Sequence, residues 1–254
     1  MHFKILGEGR RVLLLCHGFG ESDFIWEKVI NYFECHCRLI VPTLPGCYPS
    51  PLVPGLSIES MANNLHEIVL QQNIRSFYFV GHSMGGYIGL AYAKKYPKYL
   101  KGLTLVNSTA ITDSPEKKQA RLKTNDFIKT NPLEAYFKAT IPGLYGTYFQ
   151  KNHAPQIKRH ISKATHTIRK GGLIAQNFAM LYRKDSLAFL KTTLTPIQFI
   201  IGQHDAVVPY DVIVKQAYLP KNGYRNVLPH IGHMSLIEAE IAPLIEKFME
   251  MKFN

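Results

Sequence analysis

The sequence predicts an α/β fold: a mostly parallel central sheet, helices on both faces, and a helical cap inserted between two core strands. Three observations predict it. Short apolar, β-branched runs alternate with segments of helical spacing, the order that builds parallel sheets. One such run, Phe77-Tyr-Phe-Val80, passes through Gly81-His-Ser-Met-Gly-Gly86 straight into a small-residue segment, Tyr87 to Ala93, that reads as helix. From Ile111 to Leu190 strand signals vanish and helices follow one another. The core is therefore expected over residues 1–110 and 191–254, and the cap over 111–190.

Length and composition agree with this. The 254 residues suit one large α/β domain or a core with an inserted subdomain, and a hydrophobic content of 46% is ample for a packed core. No apolar run approaches the ~18 residues of a membrane span, and the N-terminus lacks the apolar stretch of a signal peptide, so a cytoplasmic protein is expected. Of the four cysteines, Cys16 falls in an apolar strand and reads as an inert core thiol. Cys35-His36-Cys37 has no second ligand pair at zinc-like spacing, so no metal is expected there.

In chain order, residues 1–9 alternate like an edge strand, and Arg11 to Cys16 makes the first central strand. The glycine-rich loop His17-Gly-Phe-Gly20 follows it, then a helix from Phe24 to Phe33 and a strand from Arg38 to Val41. After a proline-rich loop, Pro42 to Pro51, Ser57 reads as an N-cap. Ile58, Met61, Leu65, Ile68 and Val69 recur behind it at helical spacing. Ser76 to Val80 is a strand, Met84 to Tyr96 a helix ended by Pro97, and Leu103 to Val106 a further strand. In the cap, Ser114-Pro115 opens one helix, and Asn131-Pro132 with the capping-box acid Glu134 opens a second. Pro155 opens a third, with Ile157, Ile161, Ala164 and Ile168 on one face, and Gly171-Gly172 is expected to close it. Pro196 to Gly202 and Tyr224 to Leu228 read as the last strands.

The chemistry centres on Gly81-His-Ser-Met-Gly85, which fits G-x-S-x-G between a strand and a helix. A reversal this tight strains the central residue, and side chains at 81 or 85 would strike the neighbouring elements. It lifts the Ser83 hydroxyl clear of the sheet and sets the Met84 N–H at a helix N-terminus, where an oxyanion would sit. Serine is a poor nucleophile at neutral pH, so a base and an orienting acid are required. Asp205 follows the strand ending at Gly202, and His233 follows the strand ending at Leu228. All three therefore sit just past strand ends, where open α/β sheets bind ligands.

The motifs His17-Gly-Phe-Gly20, Leu44-Pro-Gly46, Gly81 to Gly86, Gly202-Gln-His-Asp205 with Val208-Pro209, and Gly232-His-Met-Ser-Leu-Ile-Glu238 together resemble the α/β-hydrolase superfamily, in its form with a helical cap. The likeness covers nearly the whole chain, including the order Ser, Asp, His. It implies that Ser83 attacks, His233 shuttles the proton, Asp205 fixes the histidine tautomer, and the Phe19 and Met84 N–H groups hold the oxyanion. It implies no metal or organic cofactor. Some relatives carry the acid after the preceding core strand, but here Asn107-Ser108 occupies that place and cannot serve. His230 reads as an exposed loop residue, His82 as a packing residue of the elbow, and His204 as structural. Thr43 stands where many relatives have an acid before Leu-Pro-Gly, so a local change in hydrogen bonding is expected.

Substrate class is less legible. Serine at the elbow argues against the aspartate-dependent dehalogenases and epoxide hydrolases. The expected function is serine hydrolysis of a small, largely apolar carboxylic ester or related acyl compound. Alternatives are C–C bond hydrolysis or a menaquinone-pathway-like lyase reaction on the same triad, or a hydrolase-fold receptor with little turnover. The lyases and C–C hydrolases usually place an arginine beside the elbow glycines or in the core pocket, whereas Tyr87 follows Gly86. The aromatics Phe127, Tyr136, Phe137, Tyr145, Tyr148, Phe149, Phe178 and Tyr182 are candidates to line an acyl pocket. The cap holds fourteen Lys and Arg against five Asp and Glu, a net +9 of the formal +12. That charge would either steer an anionic substrate or form a solvated face; no nucleic-acid motif accompanies it.

Overall fold

The structure, a computed structural model, describes residues 1–252. Seven strands form one sheet in the order β1-β3-β2-β4-β5-β6-β7. They are β1 (Phe3–Leu6), β2 (Arg11–Cys16), β3 (Cys37–Pro42), β4 (Phe77–His82), β5 (Leu100–Val106), β6 (Ile197–Gly202) and β7 (Gly223–Leu228). Only β1 runs antiparallel, against β3; every other neighbouring pair is parallel. Strands covered on both faces must be apolar throughout, and β6 is buried at every residue. The outermost strands, β1 and β7, contain no fully buried residue.

Helices α1 (Glu27–Phe33), α2 (Ile58–Gln71) and α3 (Met84–Lys95) lie between the early strands. Between β5 and β6 come α4 (Pro115–Thr130), α5 (Leu133–Thr140), α6 (Thr147–Asn152), α7 (Ala154–Thr167), α8 (Lys170–Leu181) and α9 (Leu187–Thr192), with no strand longer than an isolated bridge. The chain ends with α10 (Tyr210–Gln216), α11 (Ser235–Glu238) and α12 (Ala242–Glu250). Successive residues of β2 feed opposite cores. Leu14 and Cys16 pack with Leu65, Ile88 and Ile213 on one face, while Leu13 and Leu15 pack with Val29, Phe33 and Ile245 on the other. Ser57 caps α2 as expected: its Oγ accepts from Ser60 N–H at 3.0 Å, and Ser60 Oγ accepts from Ser57 N–H at 2.8 Å. No described helix is long and apolar enough to cross a membrane.

Three local expectations are corrected. The stretch from Phe24 to Phe33 is a 3-10 turn, Asp23–Trp26, leading into α1 and not one helix. Helix α5 begins at Leu133 with Pro132 at the cap, and Glu134 pairs with Lys138 at 2.7 Å instead of closing a capping box. Gly171-Gly172 does not close α7. That helix stops at Thr167 because Ile168 turns extended and bridges to Cys47, and both glycines fall in the first turn of α8. Gly172 is needed there for close approach: a Cβ on it would lie 2.2 Å from the Gly46 carbonyl oxygen.

Candidate active site

The loops after β2, β4, β6 and β7 gather at the C-terminal edge of the sheet, where parallel strands leave open backbone ends for a ligand. Ser83 sits between β4 and α3 with φ 49° and ψ −115°, a left-handed conformation that costs a non-glycine residue free energy. The reversal is possible because its neighbours lack side chains. A Cβ on Gly81 would meet the Gly85 carbonyl carbon at 2.5 Å, and one on Gly85 would meet the Cys16 oxygen at 2.1 Å. Ser83 N–H donates to Val106 O at 2.9 Å, and Ser108 Oγ donates to Ser83 O at 2.8 Å, so β5 braces the turn.

Asp205 and His233 are joined: His233 Nδ1 donates to Asp205 Oδ2 at 2.8 Å. Asp205 Oδ1 accepts from Val207 and Val208 N–H at 2.8 and 2.9 Å, and Oδ2 also accepts from Asn107 Nδ2 at 3.0 Å. Burial alone would raise this carboxyl, but the His233 ring and the three donors outweigh it and hold Asp205 below the ordinary carboxylate range. Asn107, unable to be the acid, is thus a donor to it, and its second contact, to Gly232 O at 3.0 Å, holds the histidine loop. Ser83 and His233 line the same cavity of about 100 Å³, also bounded by Phe19, Tyr87, Arg121, Tyr136, Phe137 and Met180. No Ser83–His233 hydrogen bond is formed in this state; such contacts commonly tighten only around substrate.

Phe19 lines this cavity and Met84 directly follows Ser83, which also lines it; neither the Phe19 nor the Met84 N–H has a hydrogen-bond acceptor among the described residues. The Phe19 loop is held from both ends. His17 Nδ1 donates to Gly18 O at 3.0 Å while its Nε2 accepts from Leu44 N–H at 3.1 Å, which requires a neutral ring. Burial pushes the His17 imidazole in that direction. Gly18 N–H donates to Glu21 Oε2 at 2.6 Å.

Glu21 escaped the sequence reading, and it changes the role of His82. The carboxylate is 3% exposed and accepts from His82 Nδ1 at 2.9 Å. His82 Nε2 donates to the His233 carbonyl at 2.9 Å. Both partners are acceptors, so both ring nitrogens carry hydrogens and His82 is an imidazolium. Burial works against that charge, yet the Glu21 carboxylate beside it raises the His82 imidazole above its usual range; reciprocally, His82 draws Glu21 below its own against the effect of burial. His82 is therefore not a packing residue of the elbow but half of a buried ion pair linking the Phe19 loop to the backbone of His233. An acid directly after the glycine loop, followed by Ser22 and Asp23, reads as solvated, so the sequence carried no local signal for this pair.

The remaining candidates separate. Tyr136 and Phe137 line the Ser83 cavity, whereas Tyr148 and Tyr182 are exposed and Tyr145 is buried against Phe149 and His160. His204 and His230 stack edge to face on the rim of a larger groove of about 710 Å³, with Phe24, Phe149 and His153. That groove is larger but lacks Ser83; it shares His160 with the Ser83 cavity. Thr43 binds by backbone alone, its N–H to His2 O at 2.9 Å and its carbonyl accepting from Ser50 Oγ at 2.6 Å. Among the described residues no three His, Cys, Asp or Glu side chains are arranged to hold a metal ion.

Comparison with known proteins identifies the fold family. A profile described as alpha/beta hydrolase fold matches residues 11–240. Over 246 residues, 94% of this chain and 92% of the relative, the chain is 27% identical to a protein of Serratia proteamaculans named "Putative carbamate hydrolase RutD". A pimeloyl-[acyl-carrier protein] methyl ester esterase of Yersinia enterocolitica is 35% identical over 109 residues, 43% of this chain and 41% of that one. Among solved structures, a thermophilic esterase from Thermogutta terrifontis superimposes with a TM-score of 0.91 at 27% identity, covering 98% of this chain and 92% of the other. The chain belongs to the α/β-hydrolase fold family.

Proposed function

We propose that this hydrolase cleaves a small, largely apolar carboxylic ester or related acyl compound through an acyl-enzyme on Ser83. One observation carries the reading: a serine at positive φ faces the same small cavity as a histidine whose far nitrogen is bound to a buried aspartate. The carbamate hydrolase and esterase names of similar proteins support the class. Because Asp205 occupies His233 Nδ1, only Nε2 is left to take the Ser83 proton as Oγ bonds to the acyl carbon. The oxygen of the tetrahedral intermediate then gains charge between the Phe19 and Met84 N–H groups, which have no competing acceptor. As the intermediate collapses, His233 returns the proton to the leaving oxygen. Water enters, gives a proton to His233 and its oxygen to the acyl carbon, and Ser83 leaves with that proton restored. Asp205, held ionised, stabilises the imidazolium at both transfers. The helices between β5 and β6 form the lid that keeps bulk water out.

The test is a p-nitrophenyl ester panel, acetate through octanoate, on wild type and Ser83→Ala. Sustained turnover of about 1–10³ s⁻¹ that disappears in the alanine variant is expected. A wild type that neither turns over these esters nor is labelled by a fluorophosphonate at Ser83 overturns the reading.

A further inference from the structure

One end of the Ser83 cavity holds more positive charge than the protein neutralises. Arg121, on α4, lines the cavity together with Ser83 and His233. Its Nε donates to Asp113 and its Nη1 donates to Asn177 Oδ1 at 3.0 Å, while Nη2 has no hydrogen-bond acceptor among the described residues. Asp113 is only 7% exposed and is shared. Arg183 Nη2 donates to it at 2.9 Å, and Lys117 Nζ stands 3.9 Å away. Three cations therefore meet one carboxylate, a formal surplus of +2.

The three cations are not equivalent. Arg183 is spent inside the protein: it donates to Met180 O at 2.9 Å and Ile111 O at 2.8 Å, and its guanidinium lies 4.2 Å from the centre of the Tyr87 ring. Lys117 donates to Val207 O at 2.9 Å. Of the three, only Arg121 lines the Ser83 cavity, and its Nη2 has no acceptor among the described residues. A guanidinium gripped from behind by a carboxylate and an amide, with a free edge in a water-poor site, is preorganised for an anion; holding it there has already cost the side chain its rotational freedom.

Resting on the acyl-enzyme reading above, we infer that Arg121 is a carboxylate-binding subsite, so that the preferred substrate is a short ester with an apolar body and one free carboxylate. A planar carboxylate accepts from Nη2 and from the second hydrogen of Nη1 in the same plane, a geometry a lysine cannot reproduce. The anion also pairs the free edge of a guanidinium whose side chain is only 13% exposed.

The test compares monomethyl glutarate with methyl valerate, which replaces the carboxylate by a methyl group, by pH-stat titration. Wild type, Arg121→Gln and Arg121→Lys are run together, with a thermal melt of each. Wild type is expected to favour monomethyl glutarate in kcat/KM by roughly 10- to 100-fold, the worth of a charge-assisted contact. In Arg121→Gln that ratio is expected to fall towards one, chiefly through a higher KM for the anion, and Arg121→Lys to restore part of it. A wild-type ratio near one overturns the subsite while leaving the hydrolase reading intact, whether or not the variants fold. A ratio that survives in folded Arg121→Gln also overturns it. If neither ester is cleaved, the p-nitrophenyl and fluorophosphonate tests decide the acyl-enzyme reading, and titration calorimetry with glutarate decides the subsite: binding lost in Arg121→Gln supports it, and no binding to wild type overturns it.

Discussion

Replacing Glu21 by Gln leaves the shape of the Phe19 loop nearly unchanged but removes one charge from a pair that solvent does not reach, Glu21 being 3% exposed and His82 0%. Removing one partner of a buried ion pair costs about 3–5 kcal/mol, since the other charge is stranded. Glutamine keeps an acceptor oxygen for Gly18 N–H and His82 can shed its proton, so the expected loss is at the low end, about 3 kcal/mol. Losing that proton also leaves the contact to the His233 carbonyl without its donor on one ring nitrogen. The histidine loop loosens, and kcat falls alongside stability.

The pH dependence gives the sharper check. Glu21 is held below its ordinary value of 4.5, so its contribution is present above that value and disappears as pH falls through the lower folded value. His82 is held above its ordinary 6.5, so its contribution is complete below 6.5 and is lost as pH rises through the raised folded value. The stability gap between wild type and Glu21→Gln is therefore widest between 4.5 and 6.5 and narrows on the alkaline side. Urea unfolding at several pH values, on both proteins, measures it. A gap below about 1 kcal/mol inside that window, or one that widens as pH rises, refutes the charged pair.

Three further substitutions probe the helices between β5 and β6. Gly172→Ala puts a Cβ 2.2 Å from Gly46 O and should cost about 1–3 kcal/mol in urea unfolding as α8 is pushed off the Leu-Pro-Gly loop. Gly171→Ala, whose Cβ would meet only Leu52 Cδ2 at 3.7 Å, is expected to be neutral or slightly stabilising, and equal losses in both would refute the close-contact argument. His160 lines both the Ser83 cavity and the outer groove, its Nδ1 hydrogen-bonded to Tyr145 Oη at 2.8 Å, and burial pushes its imidazole down to about 4, so it stands there as a neutral wall. His160→Ala should join the two spaces and move the acyl-length optimum of the p-nitrophenyl panel towards longer chains; an unmoved optimum means the wall lies elsewhere.

The sheet and the elbow were legible because their signals are local and steric. A strand buried on both faces has to be apolar, and a strand that reverses into a helix around one serine has to carry Gly81 and Gly85, so both are written in consecutive residues. The ends of α7 and α8 were not, because they are decided by a partner far along the chain. The Gly171-Gly172 pair is an ordinary helix stop until Cys47 bridges Ile168 and Gly46 takes up the space beside Gly172. Glu21 was hidden for a similar reason. An acid in a loop reads as solvated, and only the fold brings His82, sixty-one residues away, within 2.9 Å of it.

The charge of residues 111–190 was read as a total, and the structure divides that total into parts with different physics. Lys129 with Asp126, Lys138 with Glu134 and Arg159 with Glu27 are exposed pairs, screened by water and worth little. Two further sets differ from these: the Glu21–His82 pair, outside that segment and buried, and the cations around the buried Asp113, of which Lys117 reaches solvent. Glu21 and His82 balance each other, and every polar atom named in that pair is spent on the Phe19 loop or the His233 backbone, so the pair can support the site but has nothing to offer a ligand. The Asp113 set does not balance, and of its two guanidiniums Arg121, whose Nη2 has no acceptor among the described residues, lines the Ser83 cavity. A buried charge is costly unless paired. The proposed carboxylate subsite rests on that difference: the Glu21–His82 pair is complete, whereas the Asp113 set is short of an anion next to the cavity that Ser83 lines.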